Sequence, residues 1–218
     1  MSELDHQEVT SGEDSQKRKI HARFQSLTWQ YNLFNSFSIT RGETMNSTLS
    51  SRPLTDAARG QLFSCYQMLE TLVEVCPDDV WAGEFSGVPF WYQVYHTAYF
   101  VDYWFREDSA GAGFPCLRFD PRIPPEFEWD LPEDALISRE TMRDYLRVIR
   151  AKLERIFTNM TDADLSRHSF AQEAEVTLLD AIFSQTRHIM YNIGYCNGIL
   201  RARDLQEADW FAYNEPDA

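Results

Sequence analysis

The chain has 218 residues, 44% of them hydrophobic, and a formal net charge of −14. That length suits one domain with some extra segments, and that apolar share can bury a sizeable core. The acidic balance lacks the basic footprint with which nucleic-acid binders displace counterions from phosphates, so no nucleic-acid partner is expected.

The four cysteines, Cys65, Cys76, Cys116 and Cys196, form no CxxC pair and lie in apolar stretches, where free thiols pack as small hydrophobes. A reducing, cytoplasmic location is the expectation. No stretch reaches the roughly 18 apolar residues of a membrane span. The polar, acidic start does not read as a secretory signal.

Residues 1–44 read as a poorly structured N-terminal extension. The first twenty are polar and charged. Residues 21–40 carry apolar side chains such as Phe24, Trp29 and Phe34 without helical periodicity. An ordinary domain start follows Met45, which makes Met45 an alternative first residue; a full-length intact mass from the native host would exclude that. The helical domain is expected over 45–204, with a tail over 205–218.

The first long helix is predicted from about Thr55 to Cys76, capped by Thr55 or Asp56 and stopped by Pro77. Leu62, Tyr66, Leu69 and Val73 recur at helical spacing. A short connection through Trp81 leads to a second helix over about 89–106, with Pro89 at the first position, where its missing N–H costs nothing. That helix is apolar or aromatic nearly all round, the pattern of a central, buried helix. Residues 107–137, with Pro115, Pro121, Pro124, Pro125 and Pro132, read as a long irregular connection. In a bundle such a connection is a crossover that lets the second and third long helices run parallel.

The third helix is predicted over about 138–159. Met142, Tyr145, Leu146, Ile149, Leu153, Ile156 and Phe157 form its stripe, and Arg139, Arg143, Arg147, Arg150, Lys152 and Arg155 form a solvated face or partners for acidic neighbours. The fourth is predicted over about 173–203. Its heptad seam runs Leu179, Ile182, Thr186, Ile189, Ile193, Cys196, Leu200. Four such helices and no convincing strand define an all-α, four-helix bundle with a crossover between helices two and three.

Chemistry gathers at two mid-helix histidines. His96 lies among aromatics in the second helix, and His188 lies in the fourth on a stripe with Gln185, Asn192 and Tyr195. A buried imidazole must satisfy two ring nitrogens, and two at equal depth can do so for each other through a metal or a water. His188 and Asn192, at i and i+4, share a face. With His96 they make a candidate three-donor set for a divalent ion. The bland alternative is a hydrogen-bonded core histidine. His168 falls in a loop and is a weaker ligand candidate; His6 and His21 fall in the N-terminal segment.

Three pieces in order carry a resemblance: Trp91-Tyr92-Gln93-Val94-Tyr95-His96-Thr97 with Asp102; Ser138-Arg139-Glu140 with Tyr145-Leu146; and Arg187-His188-Ile189 with Gly194. From about Leu54 to Arg203 the chain resembles the DinB-like (DinB/YfiT-like) superfamily. The resemblance implies a four-helix bundle with a crossover, often dimeric. It implies a divalent metal such as zinc or nickel on one histidine of helix two and an HxxxH pair of helix four. Relatives include bacillithiol- or mycothiol-dependent S-transferases and a mycothiol-dependent maleylpyruvate isomerase. Carried over, His96 and His188 take the first two ligand positions, and Asn192 stands where the third histidine belongs. A neutral amide oxygen is a weak zinc ligand.

Two functions from different classes follow. One is a metal-dependent S-transferase or hydrolase on a small molecule, in which the ion held by His96, His188 and Asn192 activates a low-molecular-weight thiol or a water. Tyr95, Tyr191 and Tyr195 would orient substrate or supply protons. The other is a metal-free binding protein or catalyst using the aromatic pocket around His96. A helical homodimer without turnover is a third reading. There the tail Asp209-Trp210-Phe211-Ala212-Tyr213 docks on a partner subunit or on the chain's own body.

Overall fold

The computed structural model describes residues 50–106, 120–127, 130–169 and 175–211. The expectations for residues 1–44, for Met45, and for the tail beyond Phe211 lie outside them, as does much of the 107–137 connection. No helix among the described residues is long and apolar enough to cross a membrane.

The protein is all-α. Helix α1 runs Pro53–Val75, a one-turn helix α2 runs Asp78–Trp81, α3 runs Phe90–Trp104, α4 runs Arg139–Asn159, a 3-10 turn covers Asp162–Ser166, and α5 runs Leu178–Arg201. The connection read through Trp81 thus contains a helical turn. Between α2 and α3 lies a small hairpin, β1 (Glu84–Phe85) against β2 (Val88–Pro89). Ser86 (φ 53°) and Gly87 (φ 82°) supply the two left-handed residues that such a tight turn requires. This pair corrects the expectation of no strand; it leads the chain directly into α3.

Local chemistry sets the helix ends. α1 starts two residues before Thr55, with Pro53 at its first position. Its free amides are capped from a distance by Asp162, which accepts from Thr55 N at 2.8 Å and Leu54 N at 3.3 Å. Arg52 returns the favour, donating to the carbonyls of Phe157 and Met160 at the end of α4. Ser138 caps α4 through Thr141 N. α5 begins at Leu178, later than the expected 173. Thr177 and Asp180 form a reciprocal capping box there, and the backbone of Ser169 pairs with Val176 just before it.

The four long helices pack in a ring, α1 on α5, α5 on α3, α3 on α4, and α4 on α1. Arg52 meets the end of α4 while Arg139 donates to Cys76 O at 2.7 Å, so α1 and α4 are antiparallel. Tyr95 meets Tyr145 and Phe105 meets Phe157, so α3 and α4 are parallel. Gln93 meets Asn192 and His96 meets His188, so α3 and α5 are antiparallel. Two adjacent parallel helices joined in sequence require a connection that travels back along the bundle, which is the work of the crossover after α3.

The core is filled by Leu62, Tyr66, Leu69, Trp91, Tyr145, Ile149 and Ile189 with their neighbours, all essentially inaccessible. The basic residues of α4 divide. Arg143 pairs with Glu74 and Arg150 with Glu70 on α1, as partners for an acidic surface. Lys152 departs from the solvated face: it is buried, and its ammonium donates to the carboxylate and the carbonyl of Asp102. The tail's first residues dock on the chain itself. Asn197 exchanges two hydrogen bonds with Ala208, and Phe211 packs against the core, while Trp210 is largely exposed.

Candidate functional site

α3 touches α4 on one side and α5 on the other, which is why its sequence is aromatic nearly all round. The side facing α5 carries Gln93, His96, Phe100 and Trp104, spaced by three or four residues and therefore stacked along one face. His96 Nδ1 lies 2.7 Å from the carbonyl oxygen of Pro125. A carbonyl only accepts, so Nδ1 carries the proton and Nε2 presents a lone pair. That Nε2 lies 3.1 Å from Nε2 of His188. Phe127 stacks on the His96 ring at 4.2 Å, and Phe100 sets its ring against both imidazoles at 4.9 and 5.8 Å.

These contacts assign the proton between the rings. With a lone pair on His96 Nε2, the 3.1 Å contact is a hydrogen bond when His188 donates from Nε2. His188 Nδ1 is then an acceptor, buried and without a partner among the described residues. The opposite tautomer would bury an orphaned N–H there, which folded proteins avoid more strictly than an unused acceptor. Burial pushes the His188 pKa down to about 4, with His96 beside it adding to the effect. Burial also lowers His96, against the Pro125 hydrogen bond and the nearby Glu126 carboxylate. Both rings are neutral at pH 7.

Of the other expected site residues, Asn192 is on the same face of α5 and is only 3% exposed. Its amide oxygen accepts from the Gln93 amide, and its amide nitrogen donates to the His188 carbonyl at 2.9 Å. Tyr95 is one residue from His96, hence about 100° around the helix, and faces Tyr145 of α4 within an aromatic cluster. Tyr191 is 80% exposed on the outside of α5. Tyr195 donates to the Phe85 carbonyl at 3.1 Å and so ties α5 to the hairpin. His168 is in a backbone bridge with Thr177. The structure thus brings His96 and His188 together and leaves Tyr95 and Tyr191 elsewhere.

The family model of the DinB superfamily matches residues 61–196, more than half of the chain and all of the histidine face. The chain belongs to the DinB superfamily. No curated protein and no solved structure matches it.

Relatives in this superfamily are expected to hold a divalent ion, so the donors of this DinB-superfamily protein can be tested for fit. Two imidazole nitrogens 3.1 Å apart, each about 2.05 Å from one ion, would subtend about 98° there, which any tetrahedral or octahedral site tolerates. The spacing therefore fits, but the remaining donors do not. Asn192 spends its oxygen on Gln93. Among the described residues His188 Nδ1 has no carbonyl or carboxylate of the kind that fixes a metal-bound histidine. Among the described residues no group of three His, Cys, Asp or Glu side chains gathers around an ion position. Two nitrogens fall short of the three protein ligands a catalytic ion takes. The set fits a directly hydrogen-bonded imidazole pair.

One to two turns beyond the pair, a cavity of about 730 Å³ opens between Trp104 of α3, Gln61 of α1 and the first turns of α5, bordered on α5 by Ala181, Phe183, Ser184 and Arg187. Phe100 sits between His96 and Trp104 on the α3 stripe, and Ser184 is one turn before His188 on α5. Sequence reasoning did not find Gln93 as the partner of Asn192, nor Phe100 beside the pair and Trp104 at the cavity. Their i−3, i+4 and i+8 spacing from His96 was the available signal. Nothing in the sequence announced Pro125 and Phe127, which reach His96 from the crossover.

Proposed function

We propose that this DinB-superfamily protein is a metal-free binding protein for a small molecule, and that the ligand occupies the cavity between Trp104 and the first turns of α5. The cavity carries this reading. Its volume lies in the range of small-molecule sites, and Trp104, Val176, Ala181 and Phe183 line it together with polar groups of Gln61, Asp180, Ser184, Thr186 and Arg187. The histidine pair lies one to two turns away along the same two helices and does not border the cavity. Both rings are neutral, so they offer hydrogen bonding and no charge.

A metal-dependent S-transferase or hydrolase, as the resemblance implies, needs a third donor beside the two imidazoles. Asn192, the residue in that position, already serves both of its amide functions within the bundle. That His188 Nδ1 has no acceptor among the described residues supports the same reading.

The reading is tested by purifying the full chain without a histidine tag and measuring bound metals by mass spectrometry, with His188→Ala as control. The expected result is far less than one ion per chain, and no rise in melting temperature when zinc or nickel is added. A near-stoichiometric ion that vanishes in His188→Ala would overturn it and return the site to metal chemistry.

A further inference from the structure

We propose that the cavity beside Trp104 takes a small aromatic monocarboxylate, its carboxylate on Arg187 and its ring against Trp104 and Phe183. This deepens the reading above and rests on the cavity being a binding site.

The charge pattern selects the anion. The chain is strongly acidic, and its other described arginines and lysines are engaged: Arg139, Arg143, Arg150 and Lys152 in ion pairs, for example, and Arg59 over an aromatic ring. Arg187 borders the cavity, is exposed, and makes no such contact among the described residues. A planar guanidinium fork is matched by a planar carboxylate, which it can hold with two parallel hydrogen bonds. No second cation borders the cavity among the described residues, so a single negative charge is favoured over a phosphate dianion.

The opposite end fixes direction. Asp180 also borders the cavity, seven residues before Arg187 and so roughly 10 Å along the helix. Its carboxylate accepts from the Thr177 amide and hydroxyl, and these hydrogen bonds hold its pKa below the ordinary carboxylate value. It stays charged and repels an anion from that end. Between the two charges lie the Trp104 indole, Ala181 and the half-exposed Phe183 ring. Gln61, Ser184 and Thr186 add polar atoms to the walls, while the two aromatic side chains favour a flat aromatic body, through area burial and offset stacking.

The experiment is isothermal titration calorimetry of the full chain with 2-naphthoate and with its neutral counterpart 2-naphthamide, repeated on Arg187→Gln. We expect naphthoate to bind about tenfold more tightly than the amide, and Arg187→Gln to erase that preference while its melting temperature stays that of the wild type. Arg187 is exposed, so the variant does not threaten the fold. Equal affinity for acid and amide would overturn the anion assignment and leave the cavity as a binding site. A preference that survives Arg187→Gln would overturn it too. Binding of neither probe at millimolar concentration would overturn both this inference and the cavity's role as a binding site.

Discussion

Helix α3 presents two buried polar faces, and they are built on opposite plans. Toward α4, Asp102 accepts from the Tyr145 hydroxyl at 3.0 Å and from the Lys152 ammonium, which also reaches the Asp102 carbonyl at 2.9 Å. Charge meets charge there, and Asp102 holds both other side chains. Toward α5 the groups are neutral amides and imidazoles, His188 keeps a ring nitrogen without a partner among the described residues, and a cavity opens further along the same helices. An ionic cluster out of water is stable only when complete. A neutral one tolerates a spare acceptor and an open neighbour. The first plan locks two parallel helices together, and the second leaves room for something to bind.

The contrast breaks first at Asp102. Asp102→Ala strands the Lys152 ammonium in the core, and removing one partner of a buried pair costs about 3–5 kcal/mol. Urea unfolding should show that loss as a lower midpoint with an unchanged slope. The double variant Asp102→Leu with Lys152→Met should regain most of it, because apolar residues of similar volume replace such pairs at little cost. A loss below about 1 kcal/mol in the single variant would mean that water reaches the cluster.

The neutral face should yield less. Asn192→Leu removes the acceptor of the Gln93 amide and leaves that buried donor unsatisfied, at about 1–3 kcal/mol. Pairing it with Gln93→Leu should be milder than either single change, since no polar group is then stranded. The same unfolding midpoints decide it: additive losses would show that the two amides do not act as a unit.

Much of this was legible in the chain. Four amphipathic stripes, the Ser138 cap and the long proline-rich connection lead to the bundle and its crossover, because helical periodicity and end signals are local properties. The meeting of His96 with His188 was legible for the same reason, since positions in two packed helices fix their depth. Lys152 was misplaced on the surface although it stands seven residues from Tyr145 and so on the buried stripe; composition outweighed periodicity there. The i+4 spacing places Asn192 beside His188, as the structure does, but spacing does not encode that its oxygen accepts from Gln93. Pro125 and Phe127 reach His96 through the path of an irregular segment, which no periodic signal encodes. Tyr95 shows the cost of reading neighbours in sequence as neighbours in space: one helical step turned it to the other plan.

The smallest effect separates the two faces by pH. His188 has a folded pKa of about 4, pushed down by burial and by His96, against the ordinary histidine value of 6.5. Between those values the unfolded chain binds a proton that the folded chain refuses. Stability therefore rises with pH through this window, is fully expressed above the unfolded value, and is lost as pH falls toward about 4. Partial solvent access reduces the contribution to the order of 1–2 kcal/mol. Carboxylates elsewhere titrate in the lower part of the same window, so the informative quantity is a difference. The unfolding free energy of the wild type minus that of His188→Gln, measured from pH 7 to pH 4.5, should fall as the solution is acidified. A difference that stays flat would mean that His188 accepts its proton in the folded state, which the neutral hydrogen-bonded pair does not allow.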